Sequence, residues 1–217
     1  MSRNYGGPTA GRSRLVTAVL TLCAGALFLI VPLLVEFVSG DAFLLMGVAG
    51  LLFLAALPGL RSLQGGADGA SGRWGLRLTL GGLAAMVVLI LSGDLVDAAT
   101  SGGAQDVAEG VFVVVGAVAS LATLAGIVLF ALGMTRAGVL PAPAIWVFLG
   151  GMVLGLVSES FEQSLRGPVP FLADLLPPLG FVVAGIGLLM LGRAALLLKS
   201  GHAPTVPSPL RPTSLSS

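Results

Sequence analysis

Residues Leu76–Leu91 read LRLTLGGLAAMVVLIL, apolar throughout except for Arg77 and Thr79. Arg61, Arg73 and Arg77 crowd the start of this stretch, and Asp94 and Asp97 follow its end, with Asp106 and Glu109 a little further on. Hydrocarbon offers no partner to a backbone N–H or C=O, so a segment of this kind is stable there only as a helix that satisfies its own groups. The basic flank marks the cytoplasmic side. Once this helix is oriented, alternation orients every other apolar segment.

The rest of the composition agrees with a bilayer as the solvent. The chain has 217 residues, 56% of them hydrophobic and only 10% charged, and its mean hydropathy is +1.03. A soluble domain carries about 25% charged residues, so the polar surface here is too small to solvate a globule. The 32 glycines fall mostly inside apolar runs, where close helix packing is the usual reason for them. A single cysteine, Cys23, excludes an intrachain disulfide.

Read in order, the chain predicts an all-α bundle of six spanning helices over residues 15–199, with spans at about 15–38, 42–60, 76–95, 107–133, 143–163 and 178–198. Residues 1–14 (MSRNYGGPTAGRSR) read as a disordered cytoplasmic arm, and 200–217, rich in Pro and Ser, as a disordered cytoplasmic tail. The first apolar run exceeds the ~7–15 residues of a signal peptide's core and lacks a small-x-small cleavage site, so it reads as a span. The stretch Ser62–Trp74 (SLQGGADGASGRW) reads as a flexible linker with Trp74 as an interface anchor. Residues 98–106 read as an outer loop, with Asp106 and Glu109 at the spacing of a capping box before the fourth helix. The purely apolar part of the fifth helix, Ala144–Val157, is too short for a ~30 Å core at ~1.5 Å per residue, so that helix must run on through Ser158–Glu162.

Charge sorting supports the six spans jointly. Alternation puts Arg3, Arg12, Arg14, Arg61, Arg73, Arg77, Arg136, Arg193, Lys199 and Arg211 in the cytoplasm with both termini, leaving only Arg166 outside. The acids sort the other way: Glu36, Asp41, Asp94, Asp97, Asp106, Glu109, Glu159, Glu162 and Asp174 lie outside or near the outer ends, and only Asp68 lies inside. The odd helices end alike (Val38-Ser-Gly-Asp41, Leu91-Ser-Gly-Asp94, Val157-Ser-Glu159) and the even helices end in Arg or Gly-Arg. Three parallel copies of a helical hairpin would produce that pattern, and so would the plain need for a polar terminator outside and an Arg inside.

The candidate site is acidic. Glu159 and Glu162 share a helix face, and Glu36 and Asp94 sit at similar outer depth on two other helices. Glu36, Asp94, Glu159 and Glu162 could converge on a cation or a proton, because an ionisable group in a span is a functional lead. They could equally reach the headgroup region, where a carboxylate costs little. Gly151 and Gly155 form a GxxxG, and Thr21/Gly25, Gly116/Ser120, Ala122/Gly126 and Gly180/Ala184 repeat the small-xxx-small spacing of close helix contacts. The lone histidine, His202, lies in the tail, so no metal-ligand cluster and no nucleophile–base pair is formed. No phosphate-binding loop is present. These absences predict no cofactor, no metal, no nucleic acid and no enzymatic activity. The expected partners are the lipid bilayer and other membrane proteins, with the oligomeric state open. The alternative is a small transporter, or a substrate-binding transport subunit, built on the acidic residues.

The segment Gly126–Pro141 (GIVLFALGMTRAGVLP), with the Gly-rich fifth helix and the closing GLLMLG of 187–192, resembles small uncharacterised six-helix bacterial membrane proteins. That resemblance covers mainly residues 120–195 and implies a six-span fold in a bacterial cytoplasmic membrane; it carries no functional residue over. The substrate-binding subunits of vitamin importers are similar in size and span number, but the A-x-x-x-A spacing expected in their first helix is missing here.

The topology is testable by reporter fusions after residues 68, 103, 138, 167 and 205. Fusions at 68, 138 and 205 are expected to report the cytoplasm, and those at 103 and 167 the outside. A reversed signal at any of them overturns the six-span topology.

Overall fold

A computed structural model describes residues 8–34, 42–99, 103–166 and 170–198, which form six α-helices. They are α1 (Pro8–Leu34), α2 (Ala42–Leu63), α3 (Gly69–Ala99), α4 (Gly103–Ala137), α5 (Ala142–Arg166) and α6 (Pro170–Leu197). The protein is all-α, and four described stretches are long and apolar enough to cross a membrane: Gly11–Leu34, Leu45–Leu63, Val113–Ala137 and Asp174–Leu197. The apolar part of α5, Ala142–Ser158, falls short of that length by itself. The helix that frames the sequence reading, α3, is not among the four. Arg73 and Arg77 lie in its opening turns, and its side chains beyond Leu89 are outside the described residues.

Several boundaries differ from the sequence expectation. The arm expected over 1–14 is helical from Pro8 onward, a proline at the first turn being pre-set for a helix. Arg14 ties this end down by donating from Nη1 to the carbonyl oxygen of Leu198, just past the end of the last helix. The expected flexible linker 62–74 shrinks to the turn 64–68, because Gly65, Gly66 and Gly69 take φ of 61°, 88° and 63° and reverse the chain within a few residues. Helix α4 starts at Gly103, so Asp106 sits inside it and is not its N-cap; the capping-box reading and most of the 98–106 loop are thereby replaced by helix. Helix α6 begins at Pro170 and carries Pro177 and Pro178 within it. Residues 1–7, 35–41 and 199–217, with the expected disordered tail, lie outside the described residues.

Packing follows chain order and closes on itself. The tightest pairs are α5 with α6 and α3 with α4; α1 packs against both α6 and α2, and α2–α3 and α4–α5 touch more lightly. Glycine makes each tight pair possible. A Cβ on Gly151 would lie 2.2 Å from the Ala184 nitrogen, one on Gly180 2.2 Å from the Gly155 nitrogen, and one on Gly187 2.3 Å from the Phe148 nitrogen, so α5 and α6 meet backbone to backbone. The other face of α6 meets α1 the same way, Gly185 against the Gly25 oxygen at 2.7 Å. Along α3 and α4 the paired positions are Gly72/Gly133, Gly75/Phe130, Thr79/Gly126 and Gly82/Thr123. Their alternating three- and four-residue steps trace one face of each helix.

The centre is filled. Phe53 of α2 and Phe148 of α5 approach to 5.2 Å between ring centroids, Phe28 of α1 meets Phe53 edge-on at 6.5 Å, and Phe181 of α6 stacks on Phe28 at 6.0 Å. Leu57, Leu60, Ile127, Met134, Leu188 and Leu191 complete the buried core around them.

Neighbouring glycines of α5 separate packing from helix propensity. Gly151 is pressed against Ala184, but a Cβ on Gly150 would meet nothing within 4 Å. Gly150→Ala is expected to stabilise the protein by about 0.5–1 kcal/mol through helix propensity alone. Gly151→Ala is expected to cost about 1–3 kcal/mol by forcing α5 from α6. Thermal melts of the two variants in detergent check the opposite signs.

Candidate functional site

The acidic candidates divide by place. Asp94 belongs to α3, and Glu159 and Glu162 belong to α5. Their side chains, and Glu36 altogether, lie outside the described residues. Among the described residues helix α4 packs against both α3, which carries Asp94, and α5, which carries Glu159. Gly151 and Gly155 both lie against α6, and a Cβ on Gly155 would lie 3.2 Å from the Phe181 ring. Among the described residues no group of three His, Cys, Asp or Glu side chains is placed to hold a metal.

Among the described residues, Ser and Thr hydroxyls donate to carbonyls of their own helices. Thr17 donates to Ser13 O at 2.9 Å, and Thr21, Thr79, Thr123 and Thr135 each donate at 2.8 Å to the carbonyl four residues earlier. Ser158 donates to the carbonyls of Leu154 and Gly155. This is the cheapest way to bury a hydroxyl where no water competes, and it leaves little to offer a ligand. An open groove of about 690 Å³ runs along α5 past Trp146, Gly150, Val153 and Val157 to Leu176 of α6. Its lining is apolar except at Ser158, whose hydroxyl is already committed.

Unspent polarity gathers instead at the α2–α3 turn. Asp68, the one acid on the basic side, is 2% exposed, and its Oδ2 accepts a 2.8 Å bond from Arg61 Nε. Gly72 makes room for the carboxylate, since a Cβ there would lie 2.1 Å from Oδ2, and Gly133 of α4 closes over Gly72. Gln64, 3% exposed, sits between the two partners in sequence. Its Oε1 and Nε2, and Asp68 Oδ1, have no protein partner. Sequence reading isolates Asp68 by charge sorting but does not pair it with Arg61, because the pair depends on a glycine turn that reads as a loose linker.

Exposed cations flank this turn. Arg73, Arg77, Arg136 and Arg193 are all exposed, and Arg61–Asp68 is the one ion pair among the described residues. The Arg77 guanidinium lies over the Trp74 ring, 5.3 Å from its centroid. Trp74 and Trp146, at 56% and 49% exposure, stand at this same end, as interfacial anchors do.

Removing one member of a buried pair strands the other charge. Asp68→Asn is expected to destabilise the protein by about 2 kcal/mol, below the usual range because the Arg61 side chain keeps 32% of its exposure. Adding Arg61→Gln to it is expected to restore at least half of the loss. A double-mutant cycle on thermal melts reads the coupling, and additive losses would deny it.

Compared with known proteins, the chain matches no family model, no curated protein and no solved structure, so its own residues carry the functional reading.

Proposed function

We propose that the chain is a six-span integral protein of a bacterial cytoplasmic membrane, with both termini in the cytoplasm, that acts without catalysis through helix, lipid or partner contacts. The observation that carries this reading is the filled centre: Phe28, Phe53, Phe148 and Phe181 occupy the space between α1, α2, α5 and α6 where a transport path would run. The buried threonine hydroxyls that donate to their own helices support it from the chemical side, since Thr21, Thr79 and Thr123 keep no proton to offer a solute. Four apolar helices of spanning length and exposed tryptophans at the basic end support the membrane setting.

The transporter alternative needs the outer carboxylates to hold a cation. A ligand bound only by the folded state raises its stability with concentration. In a melting series against Na⁺, K⁺, Ca²⁺ and Mg²⁺ at fixed ionic strength, the native protein and Glu159→Gln are expected to respond alike. A cation-specific rise that Glu159→Gln abolishes would overturn the non-transport reading and restore the acidic site.

A further inference from the structure

Helix α3 has two faces of different purpose. One, carrying Gly72, Gly75, Thr79 and Gly82, is sealed against α4. The exposed positions Arg73, Trp74, Arg77, Gly81, Ala84 and Val88 recur at three- and four-residue steps and form the opposite stripe. Polarity changes along that stripe. Its start carries two guanidiniums and an indole, and its continuation is bare: a Cβ on Gly81 would meet nothing within 4 Å, and Ala84 adds only a methyl. Above the arginines the helix surface is therefore a shallow apolar track.

The arginines are placed for an anion. Arg73 and Arg77 are one turn apart, a separation of about 5–6 Å between Cβ atoms, so both can reach one phosphate. Arg77 lies about 12 Å along the helix from Gly69, and its side chain turns back toward the helix start to lie over Trp74. A cation on a spanning helix that bends toward the interface keeps its charge at headgroup depth. The acid closest in sequence, Asp68, is buried and committed to Arg61, so it does not neutralise the stripe.

We infer that the exposed face of α3 is a binding site for an anionic phospholipid, whose phosphate is held between Arg73 and Arg77 beside Trp74 and whose acyl chain lies along Gly81 and Ala84. This rests on the membrane reading above and names the lipid contact in it. The arginines supply the preference for an anionic headgroup, and the small residues supply the fit of a chain. A zwitterionic lipid can use the track but gains less from the clasp. A soluble phosphate can use the clasp but not the track.

The test is native mass spectrometry of the full chain in detergent with phosphatidylglycerol or phosphatidylcholine of the same acyl chains. The parent is expected to retain phosphatidylglycerol roughly tenfold better. Arg73→Gln/Arg77→Gln is expected to lose that preference, and Arg193→Gln, of equal charge type on α6, to keep it. Gly81→Leu is expected to weaken retention of both lipids by filling the track. A preference that survives the double variant, or falls equally in Arg193→Gln, overturns the site in favour of net charge. Undiminished retention in Gly81→Leu overturns the acyl track. Displacement of the lipid by equimolar glycerol phosphate overturns a lipid occupant in favour of a free phosphate. The membrane reading fails separately, if alkaline carbonate releases the chain from native membranes.

Discussion

Backbone contact between helices is the constraint on which this bundle depends. Lipid tails are as apolar as leucine, so helices in a bilayer gain nothing by hiding apolar side chains from it; they associate through close van der Waals approach. Here the approach is made by deleting side chains along one face of each partner. Helix α6 does this twice, with Gly180 and Gly187 toward α5 and Gly185 toward α1, and is thereby clamped on two sides. Its neighbours inherit their places from it, and the phenylalanines fill what remains in the middle.

Such closeness has a chemical corollary. Where backbones touch, no water remains to satisfy a stray hydroxyl, so a polar residue survives on a seam only if its own helix can use it. Thr79 and Thr123 stand at seam positions opposite Gly126 and Gly82, each fully buried, and each returns its proton to the preceding turn. Polarity that cannot be retired in this way is displaced to the ends. The Arg61–Asp68 pair with Gln64, and the arginines around Trp74, collect at the α2–α3 turn and the start of α3.

The sequence makes the six helices legible, and it makes Gly151–Gly155 visible as a spacing. The larger seam is harder to see. Gly72 and Gly75 sit in a stretch whose Gly and Ser content reads as linker, and only the Gly133 and Phe130 backbones reveal them as contact points. Composition counts glycines but cannot tell a glycine that frees the chain, like Gly66, from one that admits a neighbour, like Gly72. Asp106 misleads in a related way. Its spacing to Glu109 suits a helix start, but Gly103 and Ala104 are already helical, so local pattern yields to an earlier boundary. The candidate site was legible only as a sorting of charge, since convergence of carboxylates is a property of tertiary placement. Asp68, the exception to that sorting, is the acid whose surroundings the fold defines.

Among the described residues, the α3–α4 seam loosens along its length. A Cβ on Gly82 would strike Thr123 at 2.3 Å, but one on Gly116, further out on α4, would come no nearer than 3.9 Å to Leu89. Val113, Val114 and Val118 in the first half of α4 are exposed, at 72%, 63% and 61%, while its second half is buried at Ile127, Phe130 and Met134. Among the described residues the α3–α4 pair is thus held most tightly near the α2–α3 turn and more loosely away from it. A force that bends this pair is resisted where the backbones touch, so its strain concentrates toward the Gly72–Gly133 contact.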